Sequence, residues 1–158
     1  FSDDAGAGYA WVDSEPRWTM LVINQGGYCD RACERRLYTT RQIHISLGKE
    51  FNRVRRAYIS DQPIGANTVA VPDAPLAGWP EQLTANDFPA LVAQMHNGLL
   101  PLSVTPDVLI NLFPEALAAP NQWYLVDPAG WVMMRFSDDL SYKDVLSDLK
   151  FLLKNSGG

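Results

Sequence analysis

The only two cysteines of the chain stand close together, in Cys29-Asp30-Arg31-Ala32-Cys33. An apolar run, Trp18-Thr19-Met20-Leu21-Val22-Ile23, reads as a strand, the loop Asn24-Gln25-Gly26-Gly27-Tyr28 follows, and a helical pattern starts just past the first thiol. The N-terminus of a helix carries about half a positive charge. That field favours the thiolate and makes a thiol placed there a stronger nucleophile and metal ligand. Two thiols at such a junction point to redox or metal chemistry.

Residues four apart on a regular helix have Cβ atoms about 5–6 Å apart, whereas a disulfide brings them to about 3.8 Å. Cys29 is therefore expected ahead of the first turn and Cys33 inside it, with Gly26 and Gly27 giving the loop the freedom to close the bridge. Asp30 reads as the helix cap, its charge opposing the thiolate that Arg31 and the helix end favour. Cys29 is expected to be the more exposed thiol. A static disulfide stapling the turn is the competing reading, but so small a loop gains little from chain entropy.

The elements that must hold this pair follow from periodicity. The strand at about 18–24 leads to a helix at about 31–47, closed by Gly48, with Cys33, Leu37, Thr40, His44 and Leu47 on one face. Arg53-Val54-Arg55-Arg56-Ala57-Tyr58-Ile59 reads as a second strand. Residues 61–82, with Pro63, Pro72, Pro75 and Pro80, read as a long irregular loop. Phe88, Leu91, Val92 and Met95 repeat at helical spacing up to Gly98. Leu99 to Val104 suits a short edge strand because of Pro101, and Thr105 caps a helix to about Leu112. Trp123 to Val126, the turn Asp127-Pro128-Ala129-Gly130 and Trp131 to Phe136 form a hairpin. Ser141 with Asp144 is a capping box for a last helix, whose apolar face is Val145, Leu146, Leu149, Leu152 and Leu153, stopped by Gly157. The order gives an α/β, thioredoxin-like fold, a central mixed sheet flanked by helices with an insertion at about 61–112. Residues 1–17 are a lead-in and 18–158 the domain.

Composition narrows the function. At 158 residues, 47% hydrophobic and 20% charged, the chain suits one globular domain with a full core. A net charge of −5 argues against a nucleic-acid partner. The basic residues Arg31, Arg35, Arg36, Arg41, Arg53, Arg55 and Arg56 alternate with Glu34 and Glu50, and read as a solvated helix face and strand rim rather than an anion site. No apolar run reaches the roughly 18 residues needed to span a bilayer. The chain begins at Phe1, so a targeting segment ahead of it is expected to be missing.

The Cys29 to Cys33 spacing resembles the Sco/SenC family of cytochrome c oxidase assembly proteins. More closely, the chain is similar to divergent Sco-like proteins of proteobacterial oxidase gene clusters. The stretches that carry the likeness are Cys29 to Cys33, Leu37-Tyr38-Thr39-Thr40-Arg41-Gln42, Leu47-Gly48-Lys49, Arg53 to Arg56, Tyr124 to Pro128 and Met133-Met134-Arg135. The resemblance implies a periplasmic domain held by an N-terminal inner-membrane helix. Its implied partners are oxidase-assembly proteins or the oxidase copper-binding subunit. It also implies Cys29 and Cys33 as the catalytic pair or as ligands of Cu(I).

Copper-binding Sco proteins add a histidine a few residues before the strand that matches Trp123 to Val126, and counting back from Tyr124 reaches Ala119. Neither histidine of this chain replaces it. His44 lies about 16 Å along the helix from Cys33 at 1.5 Å per residue, and His96 ends a later helix. Two soft thiolates can still hold Cu(I). Met133 and Met134 are adjacent on a strand and face opposite sides, which suits core packing better than a copper pair. Pro120 fits equally a cis proline opposite the cysteines or a trans proline ending a loop. Three functions remain open: a thiol–disulfide protein of oxidase copper-centre assembly, a Cu(I) metallochaperone on the same sulfurs, and an assembly scaffold with an inert disulfide.

Overall fold

The structure is a computed structural model that describes residues 16–70, 88–116, 119 and 121–155. A five-stranded mixed sheet runs through it in the order β5-β3-β1-β6-β7. Its strands are β1 (Trp18–Asn24), β3 (Val54–Ser60), β5 (Leu99–Ser103), β6 (Gln122–Val126) and β7 (Val132–Ser137). A separate ribbon pairs β2 (Tyr28–Cys29) with β4 (Thr68–Val69). β1 and β3 run parallel, as do β3 and β5, while β6 is antiparallel to both β1 and β7.

The mostly apolar character of β1, broken by Thr19 and by Asn24 at its end, follows from its place at the centre, where both faces are covered. Met20 and Val22 face a core built with Leu37 and Ile43 of α1 (Arg31–Ile45), Phe88 and Leu91 of α2 (Phe88–Met95), and Val145, Leu149 and Leu153 of α4 (Tyr142–Asn155). Leu21 and Ile23 point the other way, against Leu109 of α3 (Pro106–Leu112) and Tyr124. The fold is thioredoxin-like, a sheet between helices.

Several sequence expectations shift by a residue or two. Helix α1 ends at Ile45 with Ser46 as its cap, and Gly48, at φ +60°, opens a separate 3₁₀ turn over Gly48–Arg53. On α1, Ile43 takes the buried position and His44 sits half-buried beside it. The stretch read as an insertion contributes α2, the edge strand β5 and α3. Pro101 is tolerated because β5 has β3 on one side only. Thr105 and Ser141 cap their helices as expected, with Val108 N and Asp144 N donating to the two hydroxyls at 3.4 and 3.2 Å. In the hairpin turn, Asp127 Oδ1 accepts from the backbone of Ala129 and Trp131.

Two arginines of the basic cluster are not solvated. Arg36 and Arg56 are buried, because each has polar partners brought from distant segments. Met133 is half-exposed, not core, since β7 is an edge strand, whereas Met134 packs against the main core. The expectations placed on residues 1–15, on Pro72, Pro75 and Pro80, on Pro120 and on Gly157 lie outside the described residues. Among the described residues no helix is long and apolar enough to cross a membrane.

Candidate redox site

Beyond β1 the chain turns through Gly26 and Gly27, at φ +84° and +76°, conformations that glycine adopts without a Cβ penalty. Gly27 is also a close approach: a Cβ there would stand 3.0 Å from Gln62 Cγ. The turn delivers Tyr28 and Cys29 to the ribbon with β4, and Asp30 then starts α1. Its Oδ1 accepts from Cys33 N at 2.8 Å, satisfying one of the unpaired first-turn amides. With Cys29 ahead of the helix and Cys33 in its first turn, the two Cα atoms are 5.1 Å apart and the sulfurs are joined as a disulfide.

Cys29 is not the more exposed thiol. It is 0% exposed and Cys33 1% exposed. The reason is the β2–β4 ribbon, which lays Val69 opposite Cys29 and lets Ala70 N donate to Cys29 O at 2.9 Å. Beside the pair, Glu34 is also buried, and its Oε1 has no hydrogen-bond partner. Burial pushes the Glu34 carboxyl above its ordinary value, and Arg35 pulls it partly back.

Ala119, the position reached by counting back from Tyr124, lies near Tyr28 and Asp30, which flank Cys29. Half-buried, it shares with Tyr28, Asp30, Asn121 and Arg36 the wall of a cavity of about 240 Å³. Arg36 holds this wall together. Its Nε donates to both carboxylate oxygens of Asp138 at 3.0 Å, and its Nη2 to Asn121 Oδ1 at 3.3 Å. Asp138 N in turn donates to Asn121 O. Sequence reasoning missed Arg36, because nothing local marks which arginine of a basic run will find a carboxylate 102 residues on.

Both histidines are engaged elsewhere. His44 stacks on Phe51, with ring centroids 3.8 Å apart, and its Nε2 lies 2.9 Å from Phe51 O. His96 is fully buried, its Nδ1 3.1 Å from Arg56 Nη2. Arginine can only donate, so Nδ1 accepts and the proton sits on Nε2, which has no partner. Burial first, then the charges of Arg56 and Arg41, lower the His96 pKa to about 3. Arg56 also donates to Leu37 O at 2.6 Å and Thr40 Oγ1 at 3.3 Å, closing a buried polar cluster under α1. Among the described residues no group of three or more His, Cys, Asp or Glu side chains comes together to hold a metal. The sulfurs of Cys29 and Cys33 are the soft ligands present at the junction.

The sequence model of the transmembrane-like, thioredoxin-like, C-terminal domain family matches residues 18–77 and 82–156. No protein of curated function matches the chain in sequence. In three dimensions it is similar to yeast Sco1, with a TM-score of 0.69, 13% identity and coverage of 99% of this chain and 92% of that one. Arabidopsis thaliana ScoI with copper bound gives 0.66 at 13% identity, covering 97% and 94%. BsSco, a member of the Sco family of cytochrome c oxidase assembly proteins in which a disulfide switch was identified, gives 0.62 at 14%, covering 99% and 91%. At these identities the likeness establishes a shared fold.

Proposed function

Because the chain belongs to the transmembrane-like, thioredoxin-like, C-terminal domain family, we propose that it is a thiol–disulfide protein acting in the assembly of the copper centre of cytochrome c oxidase. The observation that carries this reading is the bridged Cys29–Cys33 pair at the head of α1 in a thioredoxin-like fold. The oxidase context is supported by the fold shared with proteins described as cytochrome c oxidase assembly factors. Its working place in this reading is the periplasm, on an inner-membrane anchor.

In the reduced form, the Cys29 thiolate attacks one sulfur of a partner disulfide and expels the partner's other sulfur as a thiolate. Cys33, deprotonated in turn, attacks Cys29 Sγ, releases the second partner sulfur and leaves the Cys29–Cys33 disulfide. Two electrons pass to the partner, and the protons lost by Cys29 and Cys33 end on its dithiol. The helix end favours Cys29 as a thiolate leaving group in the reverse direction. The oxidised copper-binding subunit of the oxidase is the substrate this reading names.

Trapping tests it. Cys33→Ser leaves the first mixed disulfide unresolved and accumulates a covalent complex with the oxidised subunit, whereas Cys29→Ser forms none. Absence of the complex in Cys33→Ser would reject the reading, and full oxidase assembly with both cysteines changed to serine would favour the inert scaffold. A Cu(I) carrier is the second reading, favoured by the two adjacent sulfurs and by the copper-bound relatives of the same fold. It requires a tight one-to-one Cu(I) complex of the reduced protein that Cys33→Ala abolishes.

A further inference from the structure

Exchange at a disulfide needs a third sulfur to reach one of the two bridged ones, and neither Cys29 nor Cys33 is reachable in the closed fold. Some part of the fold must move. Residues 61–70 cross the cysteine turn as a strap that, among the described residues, is tied to the turn through three backbone amides. Gly26 N donates to Asp61 Oδ1 at 2.8 Å, Thr68 N to Gly27 O at 2.8 Å, and Ala70 N to Cys29 O at 2.9 Å. The ribbon itself pairs only Tyr28 with Thr68 and Cys29 with Val69. By contrast, β1 and β3 are matched over seven residue pairs.

One side chain fixes the strap. Asn67 is buried, and its Nδ2 donates to Pro63 O at 2.8 Å and Gln62 O at 3.3 Å, holding the curl of the strap. Its Oδ1 accepts from Tyr58 Oη at 2.7 Å, and Tyr58 Oη accepts from Asn24 Nδ2 at 2.9 Å. The strap is thus pinned through one amide to β3 and, behind it, to the end of β1. Ile64 and Val69 join the buried cluster that contains both cysteines, so the strap and the bridge share one apolar seal. Helix α1 is the alternative mover, but it buries six residues along its length, Leu37 and Ile43 in the same core among them, and its Arg36 is bound to Asp138, whereas the strap gives that core only Ile64 and Val69.

We propose that residues 61–70 are a gate over the Cys29–Cys33 pair, latched by Asn67 on Tyr58, and that exchange proceeds by local release of this strap while the domain stays folded. The proposal rests on the redox reading above and supplies the regulation of that site. A partner that displaces the strap gains access to the sulfurs, and small thiols in solution wait on its spontaneous opening. Of the strap's ten residues only Ile64, Asn67 and Val69 are buried, and a short segment of that kind can open locally while the rest of the domain stays folded.

The test is the rate at which dithiothreitol reduces the oxidised chain, read by alkylation and mass, with urea unfolding measured in parallel. The wild-type rate is expected to stay nearly flat over urea concentrations below the unfolding transition. Asn67→Ala is expected to speed reduction about tenfold, the scale of losing buried hydrogen bonds to one amide. Tyr58→Phe, which deletes the latch hydroxyl alone, is expected to speed it as well. Leu149→Ala on α4, destabilising at least as much but touching none of the strap's hydrogen bonds, is expected to leave the rate within about twofold. A wild-type rate that climbs with urea as steeply as global unfolding overturns the gate and needs no variant to fold. Equal acceleration by Asn67→Ala and Leu149→Ala overturns it too. A protein that shows the gated reduction yet forms no mixed disulfide with the oxidase subunit would reject the proposed function and leave the gate standing.

Discussion

Arg36 of α1 and Asp138, just past the end of β7, form the ion pair that joins the cysteine-bearing helix to the far side of the sheet. The guanidinium Nε is 3.0 Å from each carboxylate oxygen. Arg36 is 7% exposed and Asp138 31% exposed, so one end of the pair is dry and the other is wetted. That asymmetry sets what its loss costs, because a charge left buried is penalised far more than one left in water.

Asp138→Asn strands the buried guanidinium and is expected to destabilise the fold by about 2–3 kcal/mol. Arg36→Ala leaves only a half-wetted carboxylate, and its cost comes mostly from lost packing and from Asn121. Arg36→Met, which keeps the stem, is therefore expected to cost less than Asp138→Asn. Urea unfolding of the three variants gives the ranking, and a larger loss in Arg36→Met than in Asp138→Asn would contradict it.

Glu34 gives a pH signature of one sign. Its pKa is raised in the folded chain, so folding favours the protonated form. The stability it contributes is present below its ordinary value of 4.5 and is lost as pH rises through the raised one. Glu34→Gln is expected to raise Tm at pH 7 by about 3 °C, the shift that roughly 1 kcal/mol gives in a domain of this size. The gain should vanish as pH falls below the ordinary carboxylate range. A gain that persists there would mean that the charge is not the cause.

His96 has the opposite sign. Its folded pKa lies at about 3, well under the ordinary 6.5, so the unfolded chain takes up a proton that the folded chain refuses. The stability this holds is complete above about pH 6.5 and drains away as pH falls toward 3. His96→Gln keeps an acceptor for Arg56 and removes the titration. Its stability should fall less steeply over that window than the wild type's, by about 4 kcal/mol by pH 3. Parallel wild-type and variant curves would show that His96 does not stay neutral in the fold.

How much of this could be read beforehand depended on whether the signal was local. The Cys29–Cys33 junction, the central strand from Trp18 and the Asp127 turn were legible because each is a short pattern with its own period or turn chemistry. The ribbon between Cys29 and Val69 was not, since strands of two residues carry no periodicity. Missing that ribbon is what left Cys29 looking exposed. Arg36, Arg56 and Glu34 escaped for a different reason: a charged residue reads as solvated until its tertiary partners, or its lack of any, are known. Ala119 was reached only by counting back from a strand, and it lines a cavity with Tyr28 and Asp30 at the head of α1.

That geometry makes Ala119 the most direct handle on copper. With alanine there, no imidazole joins the two sulfurs at the cysteine turn, and thiolates alone tend to reduce Cu(II) rather than hold it. Wild-type protein in its reduced form is therefore expected to bind Cu(II) weakly while the same sulfurs accept Cu(I). Ala119→His adds a borderline nitrogen ligand to a cavity that already borders Tyr28 and Asp30 at the helix head. The strap must lift for the sulfurs to be metallated, so loading is expected to be slow and to quicken in Asn67→Ala. Once loaded, Ala119→His should show a thiolate-to-copper charge-transfer band at one equivalent of Cu(II), and Cys29→Ser should remove it. Titration with absorbance detection reads both effects. The same band in wild type at one equivalent would show that another side chain completes the site. His96 would be the first to replace, and its release from Arg56 would then be part of metal binding.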